Sequence, residues 1–162
     1  MIIVEPRSSG AAAGKLRGGP TFSKTELARF LVRARKAAGL RGRVEVLLAG
    51  DTTLARLNRT YRKLNKSTDV LSFPALNVSG LAGDLAISVD TAARQAETHG
   101  HRLEDELKIL ILHGILHLAG HDHDTDDGEM QRMERRLRRE LKLPAGLIER
   151  AAAKTPRSRS RA

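Results

Sequence analysis

Apolar residues in this chain recur at two periods, about two and about 3.6, and the changes between them mark its elements. MIIVE is β-branched and predicts a strand, while the Gly, Ala, Ser and Pro of residues 6–20 predict a flexible surface loop. From Ser23, Leu27, Phe30, Leu31 and Ala34 fall at helical spacing and end near Gly39. VEVLLAG reads as a buried strand and Asp51 as an N-cap. TTLARLNRTYRKL then reads as a helix with Leu54, Leu57, Tyr61 and Leu64 on one face. DVLSFP and GDLAISV predict two further strands. In the second half, Asp90 is placed to cap TAARQAE, and a longer helix from about Leu103 buries Leu103, Leu107, Leu110 and Ile111 before Gly120 stops it. A last helix, roughly 126–142, aligns Met130, Met133, Leu137 and Leu141 on one side, with Arg132, Arg135, Arg136 and Arg139 elsewhere. Strands early and helices late, without strict alternation, predict an α+β fold. Residues 1–149 read as a single domain and 150–162, with five basic residues and no acid, as a disordered basic tail.

Composition narrows the chemistry. A chain of 162 residues that is 40% hydrophobic is large enough for a real core. Twenty-nine Lys and Arg against 19 Asp and Glu give a formal charge of +10, which attracts polyanions and makes nucleic acid the first partner to consider. The lack of cysteine excludes disulfide scaffolds, thiolate zinc sites, iron–sulfur clusters and thiol nucleophiles, so a transition metal would need His, Asp or Glu. Four aromatic residues, Phe22, Phe30, Phe73 and Tyr61, are too few for a base-stacking platform. The N-terminal apolar run has no basic segment before it, and the longest apolar stretch, ILILHGILHLAG, is broken by two histidines. A soluble, cytoplasmic protein is expected.

Two motifs fall short. SGAAAGKL has three residues between Gly10 and Gly14 where a phosphate loop needs four, and Leu16 follows Lys15 where Ser or Thr is required. DHDTDDGEM fails as a calcium loop in either frame: starting at Asp122 puts Asp127 at the required glycine, and starting at His123 puts His and Thr at ligand positions. Its acids suit the start of the last helix instead.

Four of the six histidines lie in HGILHLAGHDH, residues 113–123. His113 and His117 are four apart, so a helix points both rings to one side, within reach of one ion. Gly120 can end the helix and let the chain double back, bringing His123 in as a third nitrogen. A continued helix would separate His113 from His121 by about 12 Å, too far for one ion, so the spacing selects His113, His117 and His123. Three neutral imidazoles with an open position form a catalytic arrangement. Zinc is expected, with nickel or copper chemically acceptable. His99 and His101 lie in a polar turn and receive no role. The spacing is also that of H-E-x-x-H-x-x-G-x-x-H metallopeptidases, but Gly114 stands where the general-base Glu belongs. A three-histidine metal without that base still suits phosphodiester cleavage, which gains from a cation near the developing charge.

Three blocks, LNRTYRKLNKSTDVLSFP (57–74), GDLAIS (83–88) and HGILHLAGHDHDTDDGEM (113–130), resemble the YbeY-type rRNA maturation factors, bacterial metal-dependent endoribonucleases. The resemblance spans about residues 40–143. It implies a small, mostly parallel four-stranded sheet packed with about five helices, one of them a zincin-like metal helix. It also implies one zinc ion per chain on His113, His117 and His123, with His113 and Arg62 in the catalytic machinery. Arg62 falls on the Arg of the family's Tyr-Arg pair, where a guanidinium can clamp phosphate. The implied activity is single-strand-specific RNA cleavage in 16S rRNA 3′-end maturation and ribosome quality control, by a monomer that meets the small ribosomal subunit. Thr68, Asp69, Ser72 and Gly83 are expected to shape turns and strand ends, and Asp84 is a candidate neighbour of the site. The chain departs from the family at His121, where Tyr is usual, at Asn65, where Asp is common, and at Ser67, where Pro is common. An assembly factor that binds RNA and uses its metal for structure is the alternative of another class, and a metallopeptidase is a third.

Overall fold

The computed structural model describes residues 1–6, 21–62, 68–75, 79–122, 125–144 and 148. Residues 7–20 of the anticipated loop, Leu64, Asn65, Ser67, His123 and the tail 150–162 lie outside that set. The elements run β1 (Ile2–Val4), α1 (Lys24–Ala37), β2 (Arg43–Ala49), α2 (Asp51–Arg62), β3 (Val70–Pro74), β4 (Leu81–Ser88), α3 (Val89–His99), α4 (Leu103–Leu118) and α5 (Glu129–Glu140). The sheet order is β1-β2-β4-β3, with β1–β2 and β2–β4 parallel and β3–β4 antiparallel. The described residues adopt the anticipated α+β fold, with a mostly parallel four-stranded sheet and five helices. The single antiparallel pair follows from the short link between β3 and β4, since parallel neighbours need a long crossover.

Alternation along the strands divides the sheet into two faces. Ile2, Val44, Val46, Leu48, Leu85 and Ile87 join the main core with α1, α3 and α4, against which α5 packs. Ala49, Leu71 and Ala86 turn the other way and pack under Leu54 of α2. α4 is apolar almost all round, which a helix can be only when surrounded. Its two buried charges are satisfied. The Glu106 carboxylate meets His101 Nε2, and Lys108 Nζ lies 3.4 Å from Glu26 Oε1 and over the Phe30 ring. His101, given no role from sequence, therefore holds the first turn of α4, with His99 stacked on it.

The helix starts differ from expectation at two aspartates. Ser88, not Asp90, caps α3 by accepting from Thr91 N, and Asp51 is the first residue of α2 rather than its cap. Each aspartate serves the other helix. Asp90 Oδ2 accepts from Asp51 N at 3.0 Å, while Asp51 Oδ1 accepts from the Ser88 and Thr91 hydroxyls, both at 2.6 Å. Arg94 adds an ion pair to Asp51 Oδ2 at 2.8 Å. Ser and Asp rank alike as caps, so sequence could not separate them. Tyr61, predicted on the buried face of α2, is 66% exposed and meets Phe73 edge-on. The last helix is shorter than expected, and Asp126 prepares it by accepting from Gly128 N and Met130 N. That bears out the capping role read for the acids of this loop.

Candidate metal centre

His113 and His117 sit four residues apart on the C-terminal half of α4. The spacing turns both rings to one side as expected: their Nε2 atoms stand 3.1 Å apart. His117 Nδ1 lies 3.0 Å from the backbone oxygen of His121. A carbonyl only accepts, so Nδ1 carries the proton and Nε2 keeps its lone pair. This contact depends on the turn after α4. Gly120 takes φ 97°, a left-handed conformation, and His121 N closes the turn onto Leu116 O at 3.1 Å. His113 is buried, and its Nδ1 lies 2.9 Å from Glu134 Oε2 on α5. Glu134 is almost fully buried, and its second oxygen accepts from Ile148 N at 2.9 Å.

These donors fit a transition metal. Two nitrogens bound tetrahedrally at the usual zinc distance stand about 3.3 Å apart, close to the observed separation. Imidazoles with their outer nitrogens tied to a carboxylate and a carbonyl are the usual environment of such ligands. The third anticipated ligand, His123, lies outside the described residues. Among the described residues no group of three such side chains is placed to hold one ion. His121, the competing third histidine, contributes its backbone to His117.

Packing explains the missing peptidase base. A Cβ on Gly114 would come within 2.6 Å of Leu85 Cδ2, so this position faces the sheet, and a side chain there would have to displace the core. Ser72 Oγ reaches Gly114 O at 3.4 Å, tying β3 to the same turn of α4. Gly83 lets β4 pass close by: a Cβ would lie 2.5 Å from Phe73 O and 2.7 Å from Leu118 Cδ2. These are the structural roles expected for Ser72 and Gly83.

Asp84 does not join the histidines. With Gly83 and Leu85 turned toward α4, Asp84 projects to the α2 face, where it lines a 410 Å³ groove with Ile3, Glu45, Leu57, Tyr61 and Phe73. Burial pushes its carboxyl pKa up and repulsion from Glu45 adds to this, while Arg43 works against both. Arg62 is the last residue of α2, on that same side of the sheet, and residues 63–67 beyond it are outside the described set. Sequence reasoning missed Glu134. The available signal was a carboxylate on the apolar stripe of Met130 and Leu137.

The fold and the paired histidines define a small α+β protein with an H-x-x-x-H helix laid against a mostly parallel sheet. A family model described as Endoribonuclease YbeY matches residues 22–143. The chain is 55% identical over 150 residues to the endoribonuclease YbeY of Koribacter versatilis, covering 93% of this chain and 91% of the relative. It is 46% identical over 141 residues to that of Solibacter usitatus, covering 87% and 95%. This chain belongs to the endoribonuclease YbeY family. In fold it is similar to the solution structure of a protein from Thermotoga maritima, with a TM-score of 0.52 and 23% identity over 88% of this chain and 92% of that one. Among the described residues no helix is long and apolar enough to cross a membrane.

Proposed function

We propose that this protein is a metal-dependent endoribonuclease that cuts single-stranded RNA in 16S rRNA 3′-end maturation and ribosome quality control. The observation that carries the reading is the convergence of His113 and His117 Nε2 to 3.1 Å, in a chain of the endoribonuclease YbeY family. His113, His117 and His123 would hold one zinc ion per chain, or nickel or copper, which supplies Lewis acidity toward a phosphodiester. The chain's own residues do the rest. His117 donates its Nδ1 proton to the His121 carbonyl and keeps Nε2 basic. Arg62 clamps a phosphate oxygen and opposes the charge that builds as the bond breaks. The +10 formal charge draws RNA to the cleft and to its setting on the small ribosomal subunit. The protein acts as a cytoplasmic monomer.

Cleavage of a single-stranded RNA by the zinc-loaded protein and by His113→Ala, purified in parallel, tests this at low salt, where backbone contacts are strongest. Cuts made by the wild type, absent from the variant and abolished by a chelator are expected. Equal cutting by both proteins would overturn the proposal.

A further inference from the structure

We propose that Glu134 is the positioning residue of the metal centre, holding His113 in the one tautomer and orientation that direct its Nε2 at the ion; this rests on the metal reading above. Glu134 lies on α5 between Met130 and Leu137, both fully buried, in a helix whose exposed side carries Arg132, Arg135, Arg136 and Arg139. A carboxylate on that apolar stripe is costly to bury unless its oxygens are satisfied, and at 1% exposure both are engaged. Oε2 meets His113 Nδ1 at 2.9 Å and Oε1 accepts from Ile148 N at 2.9 Å.

A carboxylate oxygen at this distance accepts from Nδ1–H, and with the proton on Nδ1 the lone pair is left on Nε2, which points at His117 Nε2. The ring is fixed from behind, with its front nitrogen directed toward His117 Nε2. His117 receives the same treatment from a main-chain carbonyl, so both imidazoles present the same nitrogen. The Ile148 N–H completes the arrangement by holding the far oxygen, and this ties the chain beyond α5 to a metal ligand. Glu134 touches no substrate. Its effect passes through His113.

Glu134→Gln is the test, because glutamine has one acceptor oxygen for two N–H donors and turns an NH2 group toward whichever it does not serve. Zinc affinity is measured by chelator competition for wild type, Glu134→Gln and His113→Ala, with thermal unfolding of each metal-free protein alongside. Zinc binding by a folded Glu134→Gln is expected to weaken 10- to 100-fold, the usual consequence of losing such a partner. A purely structural carboxylate would lower the metal-free melting temperature and leave the zinc affinity of the folded protein unchanged, and that result overturns the proposal. If wild type and His113→Ala bind zinc equally, the metal reading itself falls, and the positioning role with it. Should Glu134→Gln not fold, the imidazole nitrogen spectrum of the zinc-loaded wild type decides. His113 protonated at Nδ1 supports the proposal, and protonation at Nε2 refutes it.

Discussion

Replacing Asp51 with asparagine removes one charge from the joint between α2 and α3 and leaves the shape nearly intact. Burial alone would raise the Asp51 pKa, but hydrogen bonds from Ser88, Thr91 and Arg94, with the Arg94 charge, bring it from 3.8 down to about 2. At 1.36 kcal/mol per pH unit this corresponds to about 2.4 kcal/mol, which screening at a side chain 33% exposed reduces to about 1–2 kcal/mol. Because the folded pKa is depressed, the contribution is fully present above pH 3.8 and is lost as pH falls toward 2. Urea unfolding of wild type and Asp51→Asn, followed by far-ultraviolet circular dichroism, should therefore show a gap of about 1–2 kcal/mol at pH 7 that shrinks to roughly half near pH 3. A gap independent of pH over that range would refute the electrostatic account. The joint bears on the proposed role of Arg62 because α2, which ends at that residue, starts at this aspartate.

Three other outcomes follow from particular residues. Gly83→Ala should destabilise by about 1–3 kcal/mol, since its Cβ would press on the Phe73 carbonyl at 2.5 Å, and denaturant titration would read the loss. Leu110→Ala, at a fully buried position of α4, should cost about 2–5 kcal/mol in the same assay, and a loss below about 1 kcal/mol would mean that α4 is not the centre of the core. Arg62→Ala should leave the unfolding midpoint within error and slow RNA cleavage about 10- to 100-fold, the worth of one charged hydrogen bond in the transition state; unchanged cleavage would remove Arg62 from the mechanism.

Apolar spacing, β-branched runs and cap residues together located every helix and strand named above, and spacing was the strongest signal where a face is buried, as in Leu27, Phe30 and Leu31, or Leu103, Leu107 and Leu110. The paired histidines were legible for the same reason, since a four-residue spacing on a helix decides where two rings point. Strand order was not readable from pattern: β1 and β2 pair across 38 intervening residues, and nothing local to either strand records the partner. The aspartate caps were misread because Asp51 and Asp90 exchange partners between helices, a tertiary arrangement. Glu134 hid among arginines for a related reason. Its partner is 21 residues away, and only the packing of α5 on α4 gives that carboxylate a histidine to hold.

The two histidines of α4 are secured by different kinds of atom, and the difference governs how sequence drift can reach them. The support of His113 is a side chain, and one codon change at position 134 deletes it. The support of His117 is the main-chain oxygen of His121, which any amino acid at 121 would still provide. Variation at 121 is thus free of this duty, and selection falls on the neighbouring position instead. It is Gly120, at φ 97°, that bends the chain back far enough for that oxygen to arrive.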